Sequence, residues 1–251
     1  MRQNTLPSIT NHAEFAEFAR WTPHAGTGAC LFLLRHDQRL ADSSLVALAK
    51  WSQSDIERLM LFRSQSAKTS WCFSRLLYRT VLSNALQRPA NKLKLRYGPN
   101  GKPYLSGTPI RFNWSHTIGC VALATTRSCE IGCDVEPVWR SQRGIGDIMN
   151  SFYRETEREW VVAARSDALR WTRFLEVFVQ KEARLKASGH GLFLPGSHVD
   201  CVLRDPPVIS DSMVCFEFGA THRFLVAVAT VPPCSTPLSL EIRSHRFTGD
   251  E

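Results

Sequence analysis

Apolar residues recur at helical spacing between Asp167 and Leu192, where Trp171, Phe174, Leu175, Phe178 and Leu185 fall at intervals of three, four and seven. The pattern predicts one long helix, opened by Asp167 as its cap and stopped at Gly189, a residue that tolerates a left-handed backbone. Glu182 stands on this stripe where another apolar residue is due, four after Phe178 and three before Leu185. Lys186 follows one turn later on the same side. A carboxylate held against a core-facing stripe is costly unless it is paired or binds a cation. An i,i+4 Glu–Lys pair on an exposed helix accounts for the same two residues. The helix alone leaves both readings open.

Elsewhere the patterning is shorter. Residues 1–28 are polar and weakly patterned, which predicts a loose N-terminal arm. Cys30–Leu34 reads as a buried strand, and Ser54–Leu86 as helix in two pieces, the first opened by a Ser54/Glu57 capping box. A turn-rich loop runs from Tyr97 to Pro103, and Ile110–His116 is strand passing into loop. Cys120–Thr125 and Glu130–Glu136 are expected to form a hairpin, and Thr156 with Glu159 to open a helix through Ala164. Met213–Phe218 and His222–Val231 read as a closing hairpin around Gly219-Ala220-Thr221, and the proline-rich residues 232–237 begin a polar tail. Because strands arrive in hairpins rather than alternating with helices, the expected class is α+β with mostly antiparallel strands.

Composition narrows the function classes. The 251 residues suffice for one large domain or two small ones. The longest apolar runs, Cys30–Leu34 and Phe224–Ala229, fall far short of the ~20 residues that span a bilayer, so no membrane association is expected. The first residues lack a continuous apolar segment of the secretory kind, and the expected location is the cytoplasm. The eight cysteines include no C-x-x-C pair, and reduced thiols are the default in that compartment. A net charge of +8 favours an anionic partner. The basic residues are dispersed rather than run together, which argues against a nucleic-acid arm.

Asp134 and Glu136 lie two apart on a predicted strand, so both carboxylates leave one face. Paired oxygen ligands suit Mg²⁺, although a solvated strand face explains them equally. Gly132 just before them leaves room for a ligand or another backbone to approach closely. Asn113-Trp114-Ser115-His116 carries short polar groups suited either to phosphate and ribose or to local backbone capping. Gly101-Lys102-Pro103 is a turn carrying a cation.

Taken in order, Phe112-Asn113-Trp114-Ser115-His116, then Ile131-Gly132-Cys133-Asp134-Val135-Glu136, then Lys181-Glu182-Ala183-Arg184-Leu185-Lys186-Ala187-Ser188-Gly189-His190-Gly191-Leu192 resembles the Sfp-type 4′-phosphopantetheinyl transferases. Gly101-Lys102-Pro103-Tyr104-Leu105 and the Phe152 to Glu157 segment fit as well, so the resemblance runs over roughly residues 30–231.

The resemblance implies a monomer of two similar α+β halves, a pseudo-dimer with its active site in the cleft between them. The halves would divide near Thr126–Glu130, giving an arm at 1–28, an N-terminal half at 29–127, a C-terminal half at 128–234 and a polar tail at 235–251. The implied reaction moves the 4′-phosphopantetheine arm of coenzyme A to a serine of an apo acyl or peptidyl carrier protein, releasing 3′,5′-ADP. By the same resemblance Asp134, Glu136 and Glu182 bind Mg²⁺, and Glu182 or a metal-bound water takes the serine proton. Lys186 stabilises or protonates the departing phosphate. Lys102, Pro103, Ser115 and His116 hold coenzyme A, Asp134 helps through the metal, and Arg58 corresponds to a basic residue at the 3′-phosphate. A basic surface would steer both coenzyme A and an acidic carrier protein.

Three positions depart from the family pattern. Phe178 replaces a usual tryptophan, Trp114 a usual aliphatic, and a first-half arginine falls near Ser70, with Lys68 and Arg75 as neighbouring cations. Two other readings use the same residues: a Mg²⁺-dependent phosphodiester-cleaving enzyme, and a non-catalytic coenzyme A or carrier-protein binding module.

Overall fold

The computed structural model describes residues 8–9, 12–20, 28–36, 53–139, 144–191, 199, 201, 203, 213–217, 224–231 and 239–247. In chain order these give β1 (Ser8–Ile9), α1 (His12–Phe18), β2 (Gly28–His36), α2 (Gln53–Met60) and α3 (Gln65–Leu86). Then follow β3 (Leu95–Tyr97), β4 (Pro103–Leu105), β5 (Arg111–Thr117), β6 (Cys120–Thr126) and β7 (Glu130–Pro137). The remainder holds α4 (Ile145–Phe152), α5 (Glu155–Val162), α6 (Asp167–Ser188), β8 (Met213–Glu217), β9 (Phe224–Val231) and β10 (Ser239–Phe247).

Two main sheets form, ordered β1-β10-β2-β6-β5 and β7-β9-β8, with β3-β4 as a separate hairpin. All pairings are antiparallel except those of β10 with β1 and β2, which are parallel. The expected α+β class with mostly antiparallel strands is what the described residues form.

Strand alternation explains the layering. On β2, Cys30, Phe32 and Leu34 face α3, while Ala29, Leu31 and Leu33 face the second sheet. On β9, Leu225, Ala227 and Ala229 lie against α6, while Phe224, Val226 and Val228 meet the first sheet. The layers therefore run α3, first sheet, second sheet, α6. The two continuous apolar runs of the sequence are strands covered on both faces, which is why they do not alternate.

Helix α6 is capped one residue earlier than the sequence suggests. Ser166 is the N-cap, its hydroxyl accepting from Leu169 N–H, and Asp167 is the first helical residue. Gly189 ends the helix at φ 71° as expected. Gly132 on β7 sets how closely this helix sits: a Cβ there would lie 2.1 Å from the Ala183 carbonyl and 2.4 Å from the Ala187 N–H. The close approach goes to helix backbone. It brings the α6 face carrying Glu182 and Lys186 down onto the strand face carrying Asp134 and Glu136.

Several sequence expectations are corrected. The N-terminal arm is not wholly loose, because Phe15 and Phe18 of α1 are buried in the first core. The tail expected at 235–251 contains β10, whose Leu240 and Ile242 pack between the sheets and whose Phe247 reaches the α3 core. Alternating polar residues disguised it. β6 does not pair with β7: both its edges are occupied, by β2 and β5, and β7 pairs with β9. Ser115 and His116 lie within β5 rather than beyond it. Ser54 lies inside α2 rather than capping it. Thr156 lies inside α5 rather than capping it; Arg154 holds the N-cap position, and its N–H donates to Glu157 Oε2 at 2.7 Å. Gly219-Ala220-Thr221 and residues 232–237 fall outside the described residues. No described helix is long and apolar enough to cross a membrane, and Cys30, Cys72, Cys120, Cys129, Cys133 and Cys201 are in no disulfide.

Candidate active site

The edge strands β5 and β7, one from each main sheet, lie side by side and are joined by side chains. Asn113 Oδ1 accepts from the Cys133 N–H at 3.1 Å, and the Ser115 hydroxyl donates to Asp134 Oδ1 at 2.7 Å. From above, Lys186 Nζ donates to the same Asp134 oxygen at 2.5 Å and to Ser115 Oγ at 3.2 Å. Asp134, Ser115 and Lys186 thus form one hydrogen-bonded centre drawn from two sheets and a helix.

This centre floors a cavity of about 380 Å³ whose lining also includes Trp114, His116, Glu136, Phe178 and Glu182. The alternation read from the sequence holds, since Asp134 and Glu136 both open onto this space. Glu182 does as well, one turn from Phe178 and from Lys186. The apolar stripe of α6 therefore ends in the cavity wall, and the residue out of place on that stripe faces a pocket rather than the core.

Charge is unbalanced here. Burial pushes the Glu136 carboxyl up, Asp134 and Glu182 push it further, and it reaches about 7. Glu182 is raised by burial and by Asp134, against the pull of Lys186. Burial alone would lower Lys186, but Asp134 outweighs it and holds the ammonium above its ordinary range. Lost hydration and the nearby Lys186 and Arg75 hold His116 low, so its imidazole is neutral at pH 7. Cys133 is pushed up by burial to about 12, which leaves it an inert thiol beside the site.

Asp134 is 4% exposed, and its second oxygen, Oδ2, takes no hydrogen bond from any described residue. A buried carboxylate oxygen left without a donor is expensive. Three carboxylates against one ammonium, with that oxygen open, are a donor set that fits a hard divalent cation such as Mg²⁺. Among the described residues no three His, Cys, Asp or Glu side chains form a ready metal-holding group. The carboxylates repel one another, and Lys186 takes the Asp134 oxygen that faces it.

The other sequence candidates are distributed around this centre. Lys102 and Pro103 line an adjoining cavity of about 240 Å³ that shares Trp114 and Lys186 with the first. Lys102 Nζ is already engaged there, donating to the Ala187 carbonyl at 2.5 Å and to Glu130 Oε2 at 2.6 Å. Arg58 is on α2 with its guanidinium 5.8 Å from the centre of the Phe62 ring, and lines neither cavity. Glu157, at the end of the segment that fits the resemblance, is an interior residue paired with Lys181 at 2.9 Å.

Ser70, where the family arginine was expected, donates its hydroxyl to the Thr117 carbonyl and so ties α3 to the end of β5. The cation of this helix that acts on the site is Arg75, which lines neither cavity and is held by Asp55 and Tyr78. Its guanidinium lies over Trp71, Tyr78 and Trp114 at 4.9, 5.4 and 6.0 Å, and it acts electrostatically on His116. Sequence reasoning named Arg75 only as a neighbour. Its five-residue offset from Ser70, more than one helical turn, gave no signal that aromatic packing would bring it there.

Residues 130–227 match the 4′-phosphopantetheinyl transferase superfamily, and residues 40–128 match a 4′-phosphopantetheinyl transferase N-terminal family. The chain is 30% identical over 128 residues to the 4′-phosphopantetheinyl transferase AcpT of Salmonella typhi, covering 49% of this chain and 59% of that protein. It is 31% identical over 130 residues to the L-aminoadipate-semialdehyde dehydrogenase-phosphopantetheinyl transferase of Xenopus laevis, covering 47% and 42%. To the 4′-phosphopantetheinyl transferase of Bacillus subtilis it is 27% identical over 166 residues, covering 63% and 72%. The chain thus spans about half the length of the first two of these relatives. Two adjacent matches that together carry β5, β7 and α6, and meet where the chain passes from one sheet to the other, are those of a single family: the chain belongs to the 4′-phosphopantetheinyl transferase superfamily.

Proposed function

We propose that the protein transfers the 4′-phosphopantetheine arm of coenzyme A to a serine of an apo acyl or peptidyl carrier protein, yielding holo carrier protein and 3′,5′-ADP. The observation that carries this reading is the Ser115–Asp134–Lys186 centre with Glu136 and Glu182 facing the same cavity and Asp134 Oδ2 open. Asp134, Glu136 and Glu182 are the residues that would hold Mg²⁺. When bound, the ion neutralises charge on the pyrophosphate under attack and polarises its phosphorus–oxygen bonds.

The chain's own groups divide the remaining work. Lys186, kept protonated by Asp134, is a fixed cation for the charge that develops on the departing phosphate. Its raised pKa makes it a stabiliser rather than a proton donor. Glu182, its carboxyl raised by burial and by Asp134, faces the cavity where it would accept the proton of the carrier serine. Neutral His116 and Ser115 provide donors for the nucleotide phosphates, Arg75 adds positive charge near His116, and Lys102 and Pro103 are further contacts from the adjoining cavity, whereas Arg58, which lines neither cavity, offers no contact from α2.

The two halves repeat one order. β2, two helices, β5 and β6 give a sheet ordered β2-β6-β5, and β7, three helices, β8 and β9 give one ordered β7-β9-β8. Each sheet carries one 22-residue helix, α3 or α6. This supports a monomeric pseudo-dimer with its cleft along the β5/β7 seam. The proposed divisions are 1–28, 29–127, 128–234 and 235–251, the last including β10. The +8 charge suits an acidic carrier protein in the cytoplasm.

The test is direct. Incubated with coenzyme A, Mg²⁺ and an apo carrier protein, the enzyme adds one phosphopantetheine mass to the carrier, read by mass spectrometry. No shift across fatty-acid, polyketide and peptide carriers overturns the reading. Cleavage of nucleic acid in the same buffer would replace it with a phosphodiesterase, and coenzyme A binding without transfer with a binding module.

A further inference from the structure

A polar cluster outside the catalytic centre joins the two family-matched segments, and Glu130, the first residue of β7, is its middle. Glu130 Oε2 lies 2.6 Å from Lys102 Nζ, and Oε1 lies 2.7 Å from Arg111 Nε. Lys102 also donates to the Ala187 carbonyl in the last turn of α6, the end of a helix where a cation is favoured. Beside it, Asn100 Nδ2 donates to the Gly189 carbonyl at 3.0 Å, and the Lys102 chain packs on Gly189. Burial pushes the Glu130 carboxyl up, but Lys102 and Arg111 outweigh it and keep it charged at neutral pH.

These bonds all cross from residues 98–111 to β7 or α6. Without Glu130, the Lys102 ammonium has one carbonyl to hold it, and the turn from Gly98 to Pro103 loses its charged anchor. That turn forms one wall of the 240 Å³ cavity whose other walls are Asn113, Trp114, Leu185 and Lys186. The cluster therefore sets the distance between that wall and Lys186, while touching neither Asp134 nor Glu182.

We infer that Glu130 is a positioning residue for coenzyme A: by clamping Lys102 and Arg111 it holds the Gly98–Pro103 turn against the end of α6 and so fixes the width of the nucleotide pocket. This rests on the transferase reading above. It assigns Lys102 a second role, as the cation that docks the turn onto α6, and makes the coenzyme A affinity sensitive to a residue that does not line the 240 Å³ cavity. Effects on the chemical step are not expected, because the Ser115–Asp134–Lys186 centre keeps its own bonds.

The experiment compares full-length wild type, Glu130→Gln and Glu130→Ala, with steady-state transfer and with calorimetric titration of 3′,5′-ADP in the absence of carrier. Glu130→Ala should raise the KM for coenzyme A and the Kd for 3′,5′-ADP by roughly five-fold, with kcat within about two-fold, as befits loss of a half-exposed ion-pair cluster. Glu130→Gln, which keeps hydrogen-bonding atoms without charge, should fall between. Unchanged KM and Kd in Glu130→Ala overturn the proposal, as does a fall in kcat at constant KM. If Glu130→Ala is unstable, Glu130→Gln alone decides by the same KM and Kd readouts. A wild type that binds 3′,5′-ADP but transfers nothing fails the transferase reading; the Kd comparison still judges Glu130.

Discussion

Helix α6 carries two lysine–carboxylate pairs little more than a turn apart, and they are built for opposite ends. Lys181 is fully buried, 2.9 Å from Glu157. Its ammonium also donates to the Val199 carbonyl at 2.8 Å and lies 6.0 Å from the Phe152 and Tyr153 rings. Glu157 in turn accepts from the Arg154 N–H at the start of α5. Lys186 and Asp134 instead line a cavity, share it with two further carboxylates, and leave Asp134 Oδ2 open. A satisfied network of buried charges locks a fold, whereas an unsatisfied one stores a demand that a ligand answers. Sequence spacing alone does not separate the two cases; the number of unmet donors and surplus charges does.

Asp134→Asn gives the largest separation between them. It keeps the shape and the Ser115 and Lys186 neighbours while removing the charge at the centre. Transfer to an apo carrier protein should fall by at least about 10²–10³-fold, the scale of losing a preorganised electrostatic group. Thermal unfolding should stay close to wild type, because loss of one charge also relieves Glu136 and Glu182. Rates near wild type by mass spectrometry would remove Asp134 from the catalytic centre. A large drop in melting temperature would make this pair structural like its neighbour.

Lys181→Met is the converse. Removing one partner of a fully buried pair leaves Glu157 uncompensated, at a cost of about 3–5 kcal/mol. Urea unfolding measures this, and adding Glu157→Leu to make the double variant should recover most of it. At temperatures where Lys181→Met stays folded, its KM for coenzyme A should match wild type. A KM shift without destabilisation would place Lys181 in the site.

The motif residues were legible because their chemistry is wrong for their place: a glutamate on an apolar stripe, and two carboxylates on one strand face. The caps at Gly189 and the two-piece helix before Leu86 were legible from local signals. What stayed hidden depends on partners far apart in the chain. The Ser115–Asp134 bond needs β5 to lie against β7, whereas the sequence suggests a β6–β7 hairpin because those strands are consecutive. β10 pairs in parallel with β2 across nearly the whole chain, and its alternating Leu240, Glu241, Ile242 and Arg243 read as a polar tail. Glu157 and Lys181 carry no local mark of pairing, since neither falls at helical contact distance from the other in sequence.

The smallest effect tests the charge surplus itself through pH. The Glu136 carboxyl, near 7 in the folded protein against an ordinary ~4.3, favours its neutral form there. Its pKa is raised on folding, so its contribution to stability is complete below pH ~4.3 and is lost as pH rises through 7. Metal-free wild type should therefore lose, between pH 5 and pH 8, on the order of 2 kcal/mol more in urea unfolding than Glu136→Gln, which cannot ionise. Mg²⁺ reverses the sign, because a bound cation favours the carboxylate: adding it at pH 7, where Glu136 is about half protonated, should release about half a proton in wild type and none from this position in Glu136→Gln, and its affinity should weaken as pH falls below 7. Equal pH profiles in the two proteins would mean that the Glu136 carboxyl is neither desolvated nor crowded by Asp134 and Glu182, and the contrast with the Lys181–Glu157 pair would then lose its surplus of unmet charge.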